Sequence, residues 1–204
     1  MKLFAILAAL VLPLFGQSPA VTLTGPSTVT AGGTVTATIT LTGSTGQNVA
    51  ALQWTLGLTS GVSLGTPTAA SAWSTAGDFV TCNPANGTCV EVGSQTAMGD
   101  GVTASLPLTF SATLAPGTVT IPLSGLFGAS TAGTSVNGIT SGPAFSIKVL
   151  SRCDLNQDGA VNLADVQLMV NDLLGISACP VGLTCSLVGA EQIVIAANGG
   201  ACKL

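Results

Sequence analysis

From Val21 to about Leu150, apolar and polar positions alternate along the chain. Val35, Ala37, Ile39 and Leu41 alternate with threonines, and Leu52, Trp54, Leu56 and Leu58 alternate with small or polar residues. The same phase runs through Leu106, Leu108, Phe110, Ala112 and Leu114, through Val119, Ile121 and Leu123, and through Phe145, Ile147 and Val149. A period of two places each set on one face of a strand. Turn signals at Gly25-Pro26, Gly32-Gly33, Asp100-Gly101 and Pro116-Gly117 separate these runs. The spacing predicts a mainly β chain whose residues 21–150 form an antiparallel β-sandwich of about eight or nine strands.

The period changes at Ser151. Apolar residues at Val166, Met169, Val170, Leu173 and Leu174 recur at helical spacing and stop at Gly175, and a second helix is predicted from about Val188 to Ala197, before Gly199 and Gly200. Residues 151–204 therefore read as a small α-helical module. It holds five of the chain's eight acidic residues.

At the other end, Met1-Lys2 precedes an apolar run from Leu3 to Phe15, followed by Ser18-Pro19-Ala20. Residues 1–20 read as a secretory signal peptide, because a 13-residue run broken by Pro13 is shorter than the roughly 20 residues that span a bilayer. No later stretch is long enough to span one. Secretion suits the six cysteines, which all lie beyond this segment and read as three disulfides.

Composition narrows the chemistry. Only 6% of the 204 residues are charged, and none is histidine. Without Lys2 the exported chain has three basic against eight acidic side chains, which disfavours a nucleic-acid partner. The absence of histidine removes the usual neutral-pH general base and every zinc site that uses imidazole. A non-catalytic protein is expected.

The sharpest motif opens the tail. Asp154-Leu155-Asn156-Gln157-Asp158-Gly159-Ala160-Val161-Asn162-Leu163-Ala164-Asp165 offers side-chain oxygens at loop positions 1, 3, 5, 9 and 12, with glycine at 6. A hard cation takes six to eight oxygens, and this spacing supplies them for calcium. Asp154, Asn156, Asp158, the Ala160 carbonyl, Asn162 (directly or through water) and Asp165 are the predicted ligands of one structural calcium ion. The alternative is a metal-free turn of Asx residues ahead of a helix.

With aspartate at the last ligand position, Val161-Asn162 after the glycine, and only the exiting helix, this segment resembles a dockerin, the calcium-binding module of cellulosome-type assemblies. Dockerins carry two such repeats. A second can be aligned through Thr184 to Val194, but its ligand positions hold Ala178, Pro180, Gly182 and Gly189, which cannot bind calcium. The resemblance implies a partner-reading pair at Leu163 and Ala164. It also places Cys153 and Cys202 near each other at the two ends of the module, so that they pair, leaving Cys179–Cys185 to staple the metal-free half.

Beside that tail, the opening Val-x-Leu strand, the Gly32-Gly33 lead into a threonine-rich strand, Leu52-Gln53-Trp54-Thr55-Leu56, and Asp100-Gly101 before Leu106-x-Leu108-x-Phe110 resemble a cohesin, the sandwich module that binds dockerins, and the resemblance implies an antiparallel jelly-roll-like β-sandwich. The two resemblances together imply a secreted or cell-surface adhesion or scaffold protein with a protein partner. A carbohydrate-binding accessory role in polysaccharide breakdown is the second class, because cohesins are related to cellulose-binding modules. A glycoside hydrolase using two of Asp78, Glu91 and Asp100 is the third, set against reading them as solvated loop or strand residues.

The remaining signals have plainer readings. Trp54 is in phase with Leu52 and Leu56 and reads as core, whereas Trp73 reads as open to the surface. Two tryptophans and no tyrosine leave little for a sugar-stacking platform. Asn86-Gly87-Thr88 fits a glycosylation sequon but reads as a surface turn. The turn residues between Cys82 and Cys89 predict a local disulfide clasp. Cys153, Cys179, Cys185 and Cys202 lack paired C-x-x-C spacing and read as disulfides rather than a zinc tetrad.

Overall fold

A computed structural model describes residues 18–70, 79–93, 97–178 and 185–204. Among these residues, fourteen strand segments precede two helices. In chain order they are β1 (Ala20–Thr24), β2 (Thr28–Thr30), β3 (Thr34–Thr42), β4 (Val49–Leu56), β5 (Val62–Leu64), β6 (Thr68–Ala69), β7 (Phe79–Cys82) and β8 (Thr88–Val92). Then come β9 (Gly101–Phe110), β10 (Gly117–Ile121), β11 (Leu123–Ser130), β12 (Ser135–Val136), β13 (Thr140–Ser141), β14 (Phe145–Leu150), α1 (Leu163–Leu173) and α2 (Leu187–Ala197). The segments outnumber the eight or nine strands expected, because several are only two to five residues long.

The strands form three hydrogen-bonded sheets around one core, a sandwich-like arrangement. The first has the order β13-β1-β3-β9-β5, with β6 also on β9; the second is β10-β14-β2; the third is β12-β11-β4-β8-β7. Gly25-Pro26 splits the opening strand. Its first half, β1, pairs antiparallel with β3, and its second half, β2, pairs parallel with β14.

Alternation is what builds this core. In β3 the threonines face outward while Ala37, Ile39 and Leu41 are fully buried, and in β9 Leu106, Leu108 and Phe110 are likewise buried. Trp54 is buried between Leu52 and Leu56 as expected. The periodic runs overshoot at their ends: Leu58 lies beyond β4, Ala112 and Leu114 lie beyond β9, and Pro122 breaks the third run so that Leu123 starts β11. Cross-strand hydroxyl pairs, Thr24 with Thr38 and Thr34 with Thr109, cover the outer face of the first sheet.

Of the sandwich's acids, Glu91 departs from a solvated role and Asp100 keeps it. Glu91, central in β8, is fully buried, and Asp100 is exposed but accepts hydrogen bonds from Gly43 N–H, Ser44 N–H and the Ser44 hydroxyl. Asp78 and Trp73 lie outside the described residues. Asn86 is in the exposed turn between β7 and β8, its side chain accepting from Thr88 N–H at 2.9 Å.

The tail has its own, much smaller cluster. Cys153, Met169 and Ile193 are fully buried, with Leu155, Val161, Val166 and Leu173 packed against them. The helical stripe is only partly used, since Leu174 stays 69% exposed. Gly175 and Gly199, at φ +71° and +85°, stand just past the two helices as the glycine stops require. Disulfides join Cys82 to Cys89 and Cys153 to Cys202. Cys185 is also disulfide-bonded, while Cys179, and with it the expected Cys179–Cys185 pairing, lies outside the described residues.

Among the described residues no helix is long and apolar enough to cross a membrane. Residues 1–17, which carry most of the predicted signal peptide, are outside the described set.

Candidate metal centre

Three residues separate the last core strand from the acidic loop. Leu150 ends β14 in the core, Ser151 accepts hydrogen bonds from Cys153 N–H and Asp154 N–H, and Asp154 is then only 3% exposed. Loop position 6 is Gly159 at φ +95°, a left-handed conformation that a side chain would strain. A Cβ there would also overlap the Nζ of Lys148.

One network of short hydrogen bonds closes the loop. Asp165, fully buried in the first turn of α1, accepts from Leu155 N–H and Asn156 N–H through Oδ1 and from Asn162 N–H at 2.9 Å through Oδ2. Asp154 accepts from Gly159 N–H through Oδ2 at 2.8 Å. Asn156 accepts from Asp158 N–H and donates to Asp158 Oδ2, and Asp158 accepts from Ala160 N–H. Asn162 is the N-cap of α1, accepting from Ala164 N–H at 2.8 Å. The expected ligand at position 9 thus also caps the helix, reciprocally with Asp165.

Among the described residues, Asp154 Oδ1 is buried with no hydrogen-bond partner. A buried carboxylate oxygen without a partner costs free energy that a bound cation would recover. Burial is the main reason the Asp154 carboxyl is held above its ordinary value; the nearby charges of Asp165 and Asp158 add to this, against the Gly159 N–H. Asp158 is shifted the other way, chiefly by the Ala160 N–H and then the Asn156 side chain, with a smaller contribution from Lys148.

The donor chemistry fits a hard divalent ion: six oxygen groups, three of them carboxylates, with one buried oxygen unsatisfied. Among the described residues, no three His, Cys, Asp or Glu side chains converge as a metal-holding group. The loop's inventory also draws on two asparagines and a carbonyl, and its carboxylates are turned in part onto backbone N–H groups.

The pair expected to read a partner, Leu163 and Ala164, is exposed at the start of α1, with Leu163 at 78% exposure. Leu163 is therefore not packed inside the tail. Lys148 was not anticipated as part of this region. It is the sole basic residue between positions 21 and 150, and that isolation was the signal available in the sequence.

No family model matches the chain, and no curated protein matches it in sequence. Solved structures do match in fold. A cohesin module from a Clostridium perfringens family 33 glycoside hydrolase superposes with a TM-score of 0.56 at 13% identity, covering 66% of this chain and 98% of that one. A non-cellulosomal cohesin from the hyperthermophilic archaeon Archaeoglobus fulgidus gives 0.52 at 12% identity over 67% of this chain and 94% of its own. CaCohA2 from Clostridium acetobutylicum gives 0.51 at 13% identity, covering 66% and 92%. At these identities the likeness is one of fold: the sandwich has a cohesin-like architecture.

Proposed function

We propose that the chain is a secreted, non-catalytic adhesion or scaffold protein in which two modules mediate protein–protein assembly outside the cell. Residues 21–150 are the cohesin-like docking module, and residues 151–204 are a dockerin-like module with one working calcium loop and one degenerate half. The observation that carries this reading is the cohesin-like fold of the sandwich. The acidic loop that follows it supports the second module.

Asp154, Asn156, Asp158, the Ala160 carbonyl, Asn162 and Asp165 would hold one calcium ion. When bound, the ion would neutralise the loop's carboxylates and fix the start of α1. Its role is structural, because ordering the loop sets the exposed Leu163-Ala164 pair at the end of a rigid helix, where an apolar contact suits an interface core.

The test has two arms. Calorimetric titration of the full chain with calcium is expected to give a stoichiometry of about one, from the single intact loop, and Asp158→Ala is expected to abolish it. Immobilised protein is then expected to retain a secreted protein from the source culture in calcium and release it in chelator. Two calcium ions per chain would refute the single-loop reading, and retention on insoluble polysaccharide with no protein captured would favour the carbohydrate-binding alternative.

A further inference from the structure

We propose that Lys148, a residue of the sandwich, is a built-in competitor for the cation site of the tail: its ammonium balances the acidic loop when no metal is bound and lowers the loop's affinity for a divalent ion. The inference rests on the calcium reading given above and adds to it a determinant that lies outside the loop.

The placement begins in the sheet. Lys148 sits between the buried Ile147 and Val149 in β14, so alternation turns its side chain outward. The backbone there is held on both sides, paired with Thr118 of β10 and Thr28 of β2, and Lys148 N–H donates to Ser27 at 2.8 Å. An exposed lysine on such a strand ordinarily points into water. Here its Nζ instead rests against Gly159, the turn residue of the loop, close enough that a Cβ at that glycine would overlap it. Lys148, Asp154 and Gly159 line one cleft of about 400 Å³ between β14 and the tail.

Composition makes this contact telling. The sandwich has one basic side chain between positions 21 and 150, and it is the one placed on the loop that carries Asp154, Asp158 and, in its closing turn, Asp165. Part of the loop's negative charge in the metal-free state is offset by the positive charge of Lys148, which reaches Asp158. A divalent ion entering the loop meets that same charge at short range, and the repulsion weakens its binding. For charges several Å apart in a half-solvated setting, Coulomb's law gives an effect on the order of tenfold in affinity. Because the setting is partly open to solvent, salt screens the effect.

The experiment compares the full chain with its Lys148→Gln and Lys148→Arg variants, each checked for unchanged strand and helix content by circular dichroism. Calcium chloride is titrated by calorimetry at about 0.02 M and about 0.5 M salt, where the Debye length falls from tens of Å to a few. Lys148→Gln is expected to bind calcium about tenfold more tightly at low salt, with the gap closing at high salt, while Lys148→Arg keeps the wild-type affinity. A lysine that merely packs would give no salt-dependent gap and no rescue by arginine. If the wild type binds calcium and Lys148→Gln binds it equally or more weakly, the inference falls and the calcium site stands. If none of the three proteins binds calcium, the site falls and takes the inference with it.

Discussion

The sandwich and the tail solve the same stability problem by different means. The sandwich draws buried side chains from nearly every strand, from Val21 to Val149, into one cluster. In the tail the only buried apolar side chains among the described residues are Cys153, Met169 and Ile193, and one of these is half of a disulfide. A core of that size cannot offset the conformational entropy of some fifty residues by apolar burial alone. The comparison teaches where each region is vulnerable: the sandwich through its packing, the tail through its covalent tie and the cation proposed for its loop.

The two regions can be watched separately, because both tryptophans, Trp54 and Trp73, lie in the sandwich part of the sequence and the tail has no aromatic residue. The largest effect is expected from removing the clasp. Cys153 and Cys202 are 49 positions apart, and replacing both with serine should cost the tail about 4 kcal/mol by the chain-entropy estimate. Helical ellipticity should then melt at much lower denaturant while the tryptophan midpoint stays in place. A joint shift of both signals would mean that the two regions unfold as one unit. The converse substitution is Leu106→Ala, at a fully buried position in β9, and it should cost the sandwich about 3 kcal/mol. Its effect belongs in the tryptophan signal, and a matching loss of helix would break the comparison from the other side.

Much of this division was legible in the sequence, for a physical reason. A long strand with one buried face repeats its alternation often enough to be read, and β3, β9 and β14 do so. The short segments β5, β6, β12 and β13 span two or three residues, too few for any period to register. They depend on tertiary pairing, as β6 does on β9. The helices are predicted well because a glycine lies just past each. In the candidate metal site the spacing of the oxygen donors could be read directly, but the helix-capping duty of Asn162 and the approach of Lys148 could not. The first depends on the side chain's rotamer, and the second on how β14 delivers the chain into the loop. Glu91 misled because an acid within a strand ordinarily faces water, and this one faces inward.

A smaller effect is expected from the second disulfide. Cys82 and Cys89 are directly opposed on the antiparallel strands β7 and β8, with a sequence separation of 7. So short a closed loop restricts the unfolded chain little, and replacing both cysteines with serine should cost about 2 kcal/mol at most. The sandwich should stay folded, in contrast to the tail without its clasp. Complete unfolding of the double variant at room temperature would show that the sandwich, too, depends on a covalent tie.

The smallest effect concerns acid, and it has opposite signs in the two regions. Asp100 ties the turn ahead of β9 to the segment just after β3 through its three hydrogen bonds from Gly43 and Ser44. The Ser44 hydroxyl first, then the Ser44 and Gly43 N–H groups, hold its carboxyl below the ordinary value of 3.8. The unfolded chain therefore takes up this proton more readily than the folded one, and the stabilisation from Asp100 is fully present above about pH 5. It is lost as pH falls through the ordinary carboxylate range and past the lowered folded value. For Asp154 in the tail, burial raises the folded value, so the metal-free tail gains from that group as pH falls and loses the gain as pH rises through it. Asp100 is exposed, so solvent screens its contribution, which should fall below those of the disulfides and the core. Denaturant midpoints by tryptophan fluorescence, compared for the wild type and Asp100→Asn, should differ at pH 6 and draw closer as pH falls to about 2.5, with the wild type the more stable at the higher pH. A gap that persists unchanged at pH 2.5 would mean that Asp100 acts through its shape and not through its charge.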